Sequence, residues 1–265
     1  MNSSLSHKKL PKIFRNLRLI NPDKKVVYCK KCVLSNQRPR TMFNEEGICA
    51  PCLYTEFKKT GIDWDKREKE LENLCGKHRS KDGSWDVVVP GSGGKDSAYV
   101  SLMLKEKYGM NPLTVTWASS LYTEIGRKNF DAFISSGFDN ILGTPNGEIH
   151  RKLSKITFTE FGDNFLPFAY GQICFPIQTA VRYKIPLIFF GEDGDVEYGG
   201  SFDRFDKPNL DFQYTIKTKF TSLPPEYWKS FGIKNYDLKK YSLPSLKEIK
   251  ANKIEAHYFS YYNFW

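Results

Sequence analysis

A short glycine-rich loop is the part of this sequence whose residue types and spacing point most directly to chemistry. It follows an apolar run and precedes a helical pattern, so it predicts a strand, a loop and a helix in succession. Glycines let the backbone approach phosphate oxygens, and the first N–H groups of the helix attract an anion. The side chains add two hydroxyls, an ammonium group and a carboxylate that suits Mg²⁺. The predicted phosphate-binding residues are Ser92, Gly93, Gly94, Lys95, Asp96 and Ser97.

Two better-known phosphate loops do not fit this segment. A Walker A loop would place serine or threonine after Lys95 and glycine at position 89, where the chain has Asp96 and Val89. The dinucleotide-binding glycine pattern is also absent. A glycine-rich helix start without a ligand is the structural alternative.

Four of the six cysteines form two Cys-x-x-Cys pairs with sixteen residues between them. This spacing predicts one tetrahedral zinc site, and four thiolates leave no position for a reactive water, so the metal would be structural. Disulfides are disfavoured because we expect a cytoplasmic protein, and redox or iron–sulfur roles are the alternatives. The remaining two cysteines are predicted to pack, with a reactive thiol as the alternative for Cys174. The predicted zinc ligands are Cys29, Cys32, Cys49 and Cys52, and the packing residues are Cys75 and Cys174.

The elements that would position these groups follow from the hydrophobic pattern. From residue 85 onward, short apolar runs alternate with helical patterns, which is typical of a parallel sheet. We therefore predict an α/β fold, a Rossmann-like parallel sheet with helices on both faces, plus a small N-terminal four-cysteine zinc module. Predicted strands lie at residues 86–89, 113–117, 140–142 and 187–190, and helices at 63–74, 96–108, 124–136, 148–161 and 172–183.

Changes in composition suggest how the chain is divided. The first stretch is rich in lysine and arginine, and the last is rich in aromatic residues that we expect to pack against something. The predicted segments are a basic arm (1–28), a zinc-binding module (29–60), a linker helix (61–84), an ATP-binding domain (85–200) and an aromatic-rich C-terminal extension (201–265).

Length and charge restrict the class of protein. With 265 residues, 40% of them hydrophobic, the chain can bury a full core, and its net charge of +10 suggests an anionic partner. No apolar run is long enough to cross a bilayer, and the N-terminus does not resemble a secretory signal. We expect a cytoplasmic protein with no membrane association.

The loop at residues 92–97 resembles the pyrophosphate-binding loop of the adenine-nucleotide alpha-hydrolases, also called PP-loop ATP pyrophosphatases. That superfamily includes GMP, NAD and asparagine synthetases and the tRNA thiolation enzymes. The resemblance implies that ATP is split into AMP and pyrophosphate while an acceptor oxygen is adenylated.

Other segments resemble, more specifically, the N-acetyl sugar amidotransferases of bacterial surface-glycan synthesis, from about Tyr28 to the end of the chain. Members of that family continue beyond the position of Trp265, so we expect a truncated chain. The matching segments lie at residues 113–117, 121–126, 137–142, 144–147, 170–172, 191–193 and 197–200.

The family resemblance implies a reaction and a set of partners. An acetamido group, adenylated on its oxygen, would react with ammonia to give an acetamidino group, as on O-antigen sugars and nonulosonic acids. The implied cofactors are ATP, Mg²⁺ and structural Zn²⁺. The implied partners are a glutaminase subunit that supplies ammonia and a nucleotide-linked N-acetyl sugar, whereas a nucleic acid is disfavoured and a homo-oligomer is left open.

Residues after the predicted strands are candidates for ligand contacts, because ligands bind beyond the carboxyl ends of parallel strands. Thr116, Trp117 and Ala118 would face adenosine, and Glu192 and Asp193 would hold magnesium or orient ammonia. The predicted catalytic residues are Asp96, Lys95 and Glu192, the predicted magnesium ligands are Asp96 and Glu192, and the predicted substrate-binding residues are Tyr122, Gln172, Asp193, Glu197 and Tyr198.

Each of these assignments has a structural alternative. Residues 192–193 could form a solvated turn, Gln172 could cap its helix, and Trp117 and Tyr122 could belong to the core. For the whole chain, the alternatives are a tRNA thiolation enzyme that adenylates a base carbonyl and a non-enzymatic zinc-bearing binding module.

Overall fold

The computed structural model describes residues 11–14, 16–200, 202, 205–218 and 225–264. Lys8, Lys9 and Arg15 of the predicted basic arm lie outside the described residues, as does Trp265. The chain divides into two compact units. The cysteine unit comprises Met1–Glu70, Glu192–Pro208 and Ser260–Trp265, and the sheet unit comprises Leu71–Gly191 and Asn209–Phe259.

Seven strands and eleven α-helices are found in the described part of the chain. The strands are β1 (Arg18–Leu19), β2 (Met42–Phe43), β3 (Val87–Pro90), β4 (Pro112–Trp117), β5 (Asp139–Gly143), β6 (Leu187–Phe190) and β7 (Glu255–Tyr258). The helices are α1 (Ala50–Thr60), α2 (Trp64–His78), α3 (Lys95–Leu102), α4 (Glu124–Ser135), α5 (Gly147–Phe161), α6 (Leu166–Tyr183), α7 (Gly194–Tyr198), α8 (Phe212–Thr218), α9 (Asn235–Leu238), α10 (Leu246–Ala251) and α11 (Phe259–Tyr262). The 3-10 helices are Lys12–Phe14, Pro225–Phe231 and Lys239–Tyr241. A π-helical segment, Met103–Lys107, continues α3.

Five parallel strands form the sheet, in the order β5-β4-β3-β6-β7. The central strand β3 is buried over its three valines, and every residue of β4 is buried, as expected for strands covered on both faces. The strand order reverses between β3 and β6, which makes this the topological switch point where open α/β sheets bind ligands. The predicted fold class is confirmed: the chain has a Rossmann-like parallel sheet with helices around it and an N-terminal four-cysteine cluster consistent with a zinc module.

The predicted strands and helices are all found in the structure, but some helices differ in extent and several elements, including β1, β2, β7 and α1, were not predicted. The four predicted strands are confirmed as β3 to β6. The helix predicted at residues 172–183 begins earlier, at Leu166, and the helix predicted at 96–108 changes to π-helical geometry at Met103. No strand was predicted at β7, because its sequence, Glu-Ala-His-Tyr, alternates ionisable and apolar residues instead of forming an apolar run.

The ionisable residues of β7 are accommodated by partners in the same unit. Glu255 accepts hydrogen bonds from Lys77 (2.8 Å) and lies 2.5 Å from the ring of His78 and 3.4 Å from that of His257. Burial raises the pKa of Glu255, but these three donors outweigh it and bring the pKa to about 2. A polar strand can therefore complete an otherwise apolar sheet.

The cysteine unit has its own apolar core. Phe14, Leu53 and Tyr54 pack with Val196 and Phe202, which come from the segment that follows β6 in the chain. The C-terminal aromatic residues also pack here. The Arg67 guanidinium lies 3.9 Å above the ring of Tyr261, and Trp64 meets Phe264 edge to face at 5.6 Å. None of the described helices combines the length and apolar character needed to cross a membrane.

A buried ion pair joins α1 to α7 inside the cysteine unit. Lys58 Nζ lies 2.7 Å from Glu197 Oε2, and the two side chains are 7% and 9% exposed. Burial raises the pKa of Glu197, and Lys58 opposes this shift. Two further contacts hold the same segment: Arg40 pairs with Asp195 at 3.3 Å, and Arg38 Nε donates to the Gly199 carbonyl at 2.7 Å. The segment after β6 is therefore anchored on the cysteine module.

We predict that Lys58→Met destabilises the protein by about 3–5 kcal/mol, because Glu197 would be left buried without its partner. Adding Glu197→Leu should recover most of this loss. The adjacent Lys59 is the control, since its pair with Glu56 is exposed, at 56% and 49%, and Lys59→Met should cost about 1 kcal/mol or less. Urea unfolding of the four proteins measures these differences, and equal costs for the two lysine variants would contradict the prediction.

Candidate functional site

The glycine-rich loop joins the carboxyl end of β3 to the first turn of α3, beside the switch point of the sheet. Gly93 has a φ of +83°, and a Cβ at this position would lie 2.7 Å from the carbonyl oxygen of Asn129. Only glycine fits this backbone conformation and this close approach. Gly94 is the N-cap residue of α3 and has no side chain to accept from the first N–H groups of the helix, an arrangement that suits an anionic ligand.

Hydrogen bonds from the neighbouring strands hold the loop in place. Thr116 Oγ1 donates to the carbonyl of Gly91 at 2.6 Å. Asn140 Nδ2 in turn donates to Thr116 Oγ1 at 2.9 Å and to Thr114 Oγ1 at 3.0 Å. The side chain of Thr116, predicted to face adenosine, therefore braces the loop, and only a main-chain contact with the nucleotide stays a prediction. Sequence analysis missed Asn140, although an amide inside a predicted strand is a signal of such a role.

The charged side chains of the loop lie at its surface. Lys95 Nζ contacts Asp96 Oδ1, and the two side chains are 84% and 38% exposed. Ser97 Oγ donates to the Gly94 carbonyl at 3.1 Å, and the side chain of Ser92 is exposed. The loop thus presents an ammonium group, a carboxylate and a hydroxyl at the carboxyl edge of the sheet. This set could hold phosphate oxygens and Mg²⁺.

Two other predicted contacts lie in or near the aromatic core of the sheet unit. Trp117 is 4% exposed and packs against Phe175 and Tyr241, with ring centroids 5.5 and 5.7 Å away. Gly171 permits this packing, because a Cβ there would lie 2.1 Å from the indole nitrogen. The side chain of Trp117 is therefore a core residue. Tyr122 Oη accepts from the Ser119 N–H at 3.3 Å, beside the end of β4.

Gln172 is exposed on α6. Since α6 begins at Leu166, Gln172 lies inside the helix and does not cap it, which removes the structural alternative considered for this residue. Its predicted contact with substrate stays a prediction.

The acidic residues after β6 belong to the cysteine unit. Tyr198 Oη donates to Glu192, the Asp193 carboxylate accepts from the Asp195 N–H at 3.1 Å as the N-cap of α7, and Glu197 pairs with Lys58. The segment is thus a short capped helix and not merely a solvated turn. Asp96 lies in the sheet unit, so a magnesium ion shared by Asp96 and Glu192 stays a prediction, as do the substrate contacts of Asp193, Glu197 and Tyr198.

The four cysteines of the two pairs come together as the spacing predicts, with all Sγ atoms within 4.8 Å of one another. Sγ of Cys29 lies 4.0 Å from that of Cys52, and Sγ of Cys32 lies 3.7 Å from that of Cys49. Tetrahedral zinc with Zn–S bonds of about 2.3 Å separates sulfurs by about 3.8 Å, whereas a disulfide needs about 2.05 Å. The spacing therefore fits a zinc ion and excludes disulfides between these atoms.

Backbone donors favour a thiolate at Cys29, whereas burial raises the pKa of Cys52 to about 11 and that of Cys49 well above its usual value. The N–H groups of Cys49 and Lys31 both lie 3.3 Å from Cys29 Sγ. Burial raises the pKa of Cys29, but these donors outweigh it and bring the pKa to about 7. The two remaining cysteines differ. Cys75 and Cys174 are both 0% exposed, and burial raises the pKa of Cys75 to about 12 and that of Cys174 well above its usual value. Neither has the environment of a reactive thiol.

Comparisons with known proteins identify no family for the chain. No family model matches the sequence. An uncharacterized protein of Methanocaldococcus jannaschii is 34% identical over 89 residues, which cover 33% of this chain and 31% of that protein. The chain thus spans about a third of the length of the curated relative it matches.

Three solved structures are similar at low identity. NMN synthetase of Francisella tularensis (13% identity, TM-score 0.39) and NH3-dependent NAD synthetase of Campylobacter jejuni (12%, 0.40) each match 72% of this chain and 93% of theirs. A predicted subunit of tRNA methyltransferase from Methanocaldococcus jannaschii (18%, 0.30) matches 63% of this chain and 87% of its own. At these TM-scores, the likenesses do not decide the reaction, which must be argued from the residues of this chain.

We predict that the purified protein contains one zinc ion per chain. Cys49→Ser should remove the metal and lower the melting temperature, because Cys49 is fully buried and completes the tetrahedral shell. Cys75→Ala is the matched control, a buried cysteine outside the cluster, and it should retain the zinc. Metal analysis by mass spectrometry after gel filtration checks both, and a folded wild-type protein without zinc would contradict the prediction.

We predict opposite outcomes for alanine at the two central glycines of the loop. Gly93→Ala should cost at least about 1–3 kcal/mol, because it forces a left-handed conformation and a clash with Asn129. Gly94→Ala should cost about 1 kcal/mol or less, because its φ is −71° and the nearest atom to a new Cβ would be Ser92 Oγ at 3.9 Å. Thermal unfolding of both variants tests the contrast. Equal stability would show that the loop does not have this geometry.

Proposed function

We propose that this protein is an ATP-dependent amidotransferase that converts the acetamido group of an N-acetyl sugar to an acetamidino group and releases AMP and pyrophosphate. The observation that carries the proposal is the loop between β3 and α3. Its glycine backbone, uncapped helix start, exposed Lys95 and accessible Asp96 lie together at the switch point of the sheet. The sequence resemblance supplies the sugar substrate.

The first step of the proposed reaction activates a poor leaving group. The amide oxygen of the acceptor attacks the α-phosphorus of ATP, the bond from that phosphorus to the α,β-bridging oxygen breaks, and pyrophosphate leaves with the electron pair. Loss of the amide N–H proton to water gives a neutral O-adenylated imidate. The N–H groups of α3 and Lys95 would stabilise the negative charge that develops on pyrophosphate. Asp96 would hold Mg²⁺, which neutralises phosphate charge.

The second step replaces the activated oxygen. Ammonia adds to the carbon of the adenylated imidate, the carbon–oxygen bond breaks, and AMP leaves with its electron pair. Loss of a proton from the added nitrogen gives the neutral amidine, which is protonated again in water. In this scheme the four-cysteine zinc site has no chemical role, because its shell is complete without substrate.

A separate glutaminase would supply the ammonia. A glutaminase site needs a reactive nucleophile, and both cysteines outside the zinc cluster are fully buried with raised pKa values. The same observation weighs against tRNA thiolation, which would need an accessible cysteine to deliver sulfur. The burial of both cysteines is consistent with a reaction in which this chain uses free ammonia and does not hydrolyse glutamine itself.

The proposal is tested by product analysis with ATP, Mg²⁺, ammonium chloride and nucleotide-linked N-acetyl sugars. We expect AMP and pyrophosphate, together with a sugar in which mass spectrometry finds oxygen replaced by an NH group. Asp96→Asn should slow turnover by about 10²-fold, because the transition-state charge loses its metal support. Glu106→Gln, at an exposed position on the π-helical segment beyond α3, is the control and should leave the rate unchanged.

Two results would contradict the proposal. Formation of ADP in place of AMP would exclude adenylation. Efficient use of glutamine by the isolated chain, with glutamate formed in step, would show that no separate ammonia source is needed.

A further inference from the structure

A cavity of about 700 Å³ lies in the sheet unit beyond the carboxyl ends of β4 and β5. Its wall includes Ser119, which follows β4, and Thr144, which follows β5. The first turns of α5 contribute His150 and Arg151, and Phe165 and Phe168 close the apolar side. A volume of this size accommodates a small-molecule ligand.

The charged lining of the cavity is positive. Among the described residues that line it, none is acidic, and Arg151 is the basic one. The Arg151 side chain is exposed and forms no ion pair with any residue that the structure describes. A guanidinium without a protein partner at a cavity wall suits a phosphate or carboxylate on the ligand.

His150 adds a neutral donor beside this cation. It is 6% exposed, and its Nδ1 lies 3.0 Å from the hydroxyl oxygen of Tyr241, which is itself 1% exposed. Burial lowers the pKa of His150 and raises that of Tyr241, so both groups are neutral near pH 7. The Tyr241 hydroxyl and His150 Nδ1 share one hydrogen bond, whose direction follows the imidazole tautomer. In the tautomer in which Tyr241 donates to Nδ1, the imidazole proton resides on Nε2 and is available to a ligand.

The cavity also has aromatic lining residues. The rings of Phe165 and Phe168 lie 5.2 Å apart, and Phe165 is 55% exposed, so its ring is accessible to a ligand. An apolar ring face in the same cavity as a cation and an N–H donor suits a sugar that carries both an acetamido methyl group and an anionic group.

We propose that this cavity binds the acceptor substrate as an anionic acetamido sugar, with Arg151 and His150 Nε2–H on the anionic group and the two phenylalanines against the sugar. This inference rests on the proposed amidotransferase function and specifies the acceptor. The anionic group is the phosphate of a nucleotide-linked sugar or the carboxylate of a sugar acid.

Calorimetric titration of the full chain without ATP tests the assignment. UDP-N-acetylglucosamine carries the phosphate, N-acetylneuraminic acid carries the carboxylate, and N-acetylglucosamine is the uncharged control. We expect one anionic probe to bind at least tenfold more tightly than the uncharged sugar. Arg151→Gln should weaken that probe by about 10- to 100-fold, because a charge-assisted hydrogen bond is lost. Arg151→Lys keeps the positive charge but loses the planar guanidinium. Its affinity for the probe should lie between those of the wild type and Arg151→Gln.

Lys152→Gln is the matched control, since it removes the adjacent positive charge of α5 at an exposed position that does not line the cavity. Its affinity should equal that of the wild type, and melting temperatures should be unchanged in all three variants. If Arg151→Gln and Lys152→Gln weakened binding of the anionic probe equally, the effect would come from general surface charge. That result would overturn the assignment. Absence of binding by both anionic probes at millimolar concentration would overturn it as well.

Failure of the cavity assignment is distinguishable from failure of the proposed reaction. If AMP and pyrophosphate form but the KM for the acceptor does not change in Arg151→Gln, only the cavity assignment fails. If Arg151-dependent binding is found but no AMP forms with any acceptor, the reaction fails and the anion-binding cavity stands.

Discussion

The close approach of the loop backbone to α4 is the constraint on which the candidate site depends. At Gly93 the chain must turn with a positive φ within van der Waals distance of the Asn129 carbonyl, which no side chain allows. Thr116 and Asn140 fix the same turn from β4 and β5 by hydrogen bonds to the Gly91 carbonyl and to each other. Because the loop is held from both sides, α3 begins at a defined point. The direction of its first N–H groups follows from that, and so does any anion site they form.

The cysteine unit has a different physical role. A zinc ion held by its four cysteines would have a complete shell, and α1, which begins directly after Cys49, carries Lys58, which forms the buried ion pair with Glu197. A buried pair contributes little net stability compared with apolar residues, yet it is specific in geometry. The cluster of cysteines therefore sets the position of α1, and α1 sets the position of the acidic segment that follows β6. A zinc ion bound by the four cysteines would thus help to position, through α1, the acidic residues that were predicted to bind magnesium or substrate.

The sequence was informative wherever the fold relies on apolar periodicity or fixed spacing. It predicted β3 to β6, the cysteine cluster and the loop, because buried strands, thiolate pairs and glycine turns each have local signatures. It missed β7, since Glu255 of that strand is accommodated by contacts with Lys77 and His78, which are distant in sequence. It also could not separate core from site at Trp117. That distinction depends on Gly171, a residue on another element, and no local pattern reports such a contact.

The arrangement along the carboxyl edge of the sheet adds one step to the proposed chemistry. The loop follows β3, and the cavity with Arg151 follows β4, which lies next to β3 in the sheet, and β5, which lies beyond β4. If the β and γ phosphates of ATP bind at the loop and the acceptor binds in the cavity, the α-phosphorus lies between them. In-line attack requires that order, with the leaving pyrophosphate and the attacking amide oxygen on opposite sides of the phosphorus. The positive charge of Arg151 in the cavity would reduce the repulsion between an anionic acceptor and ATP.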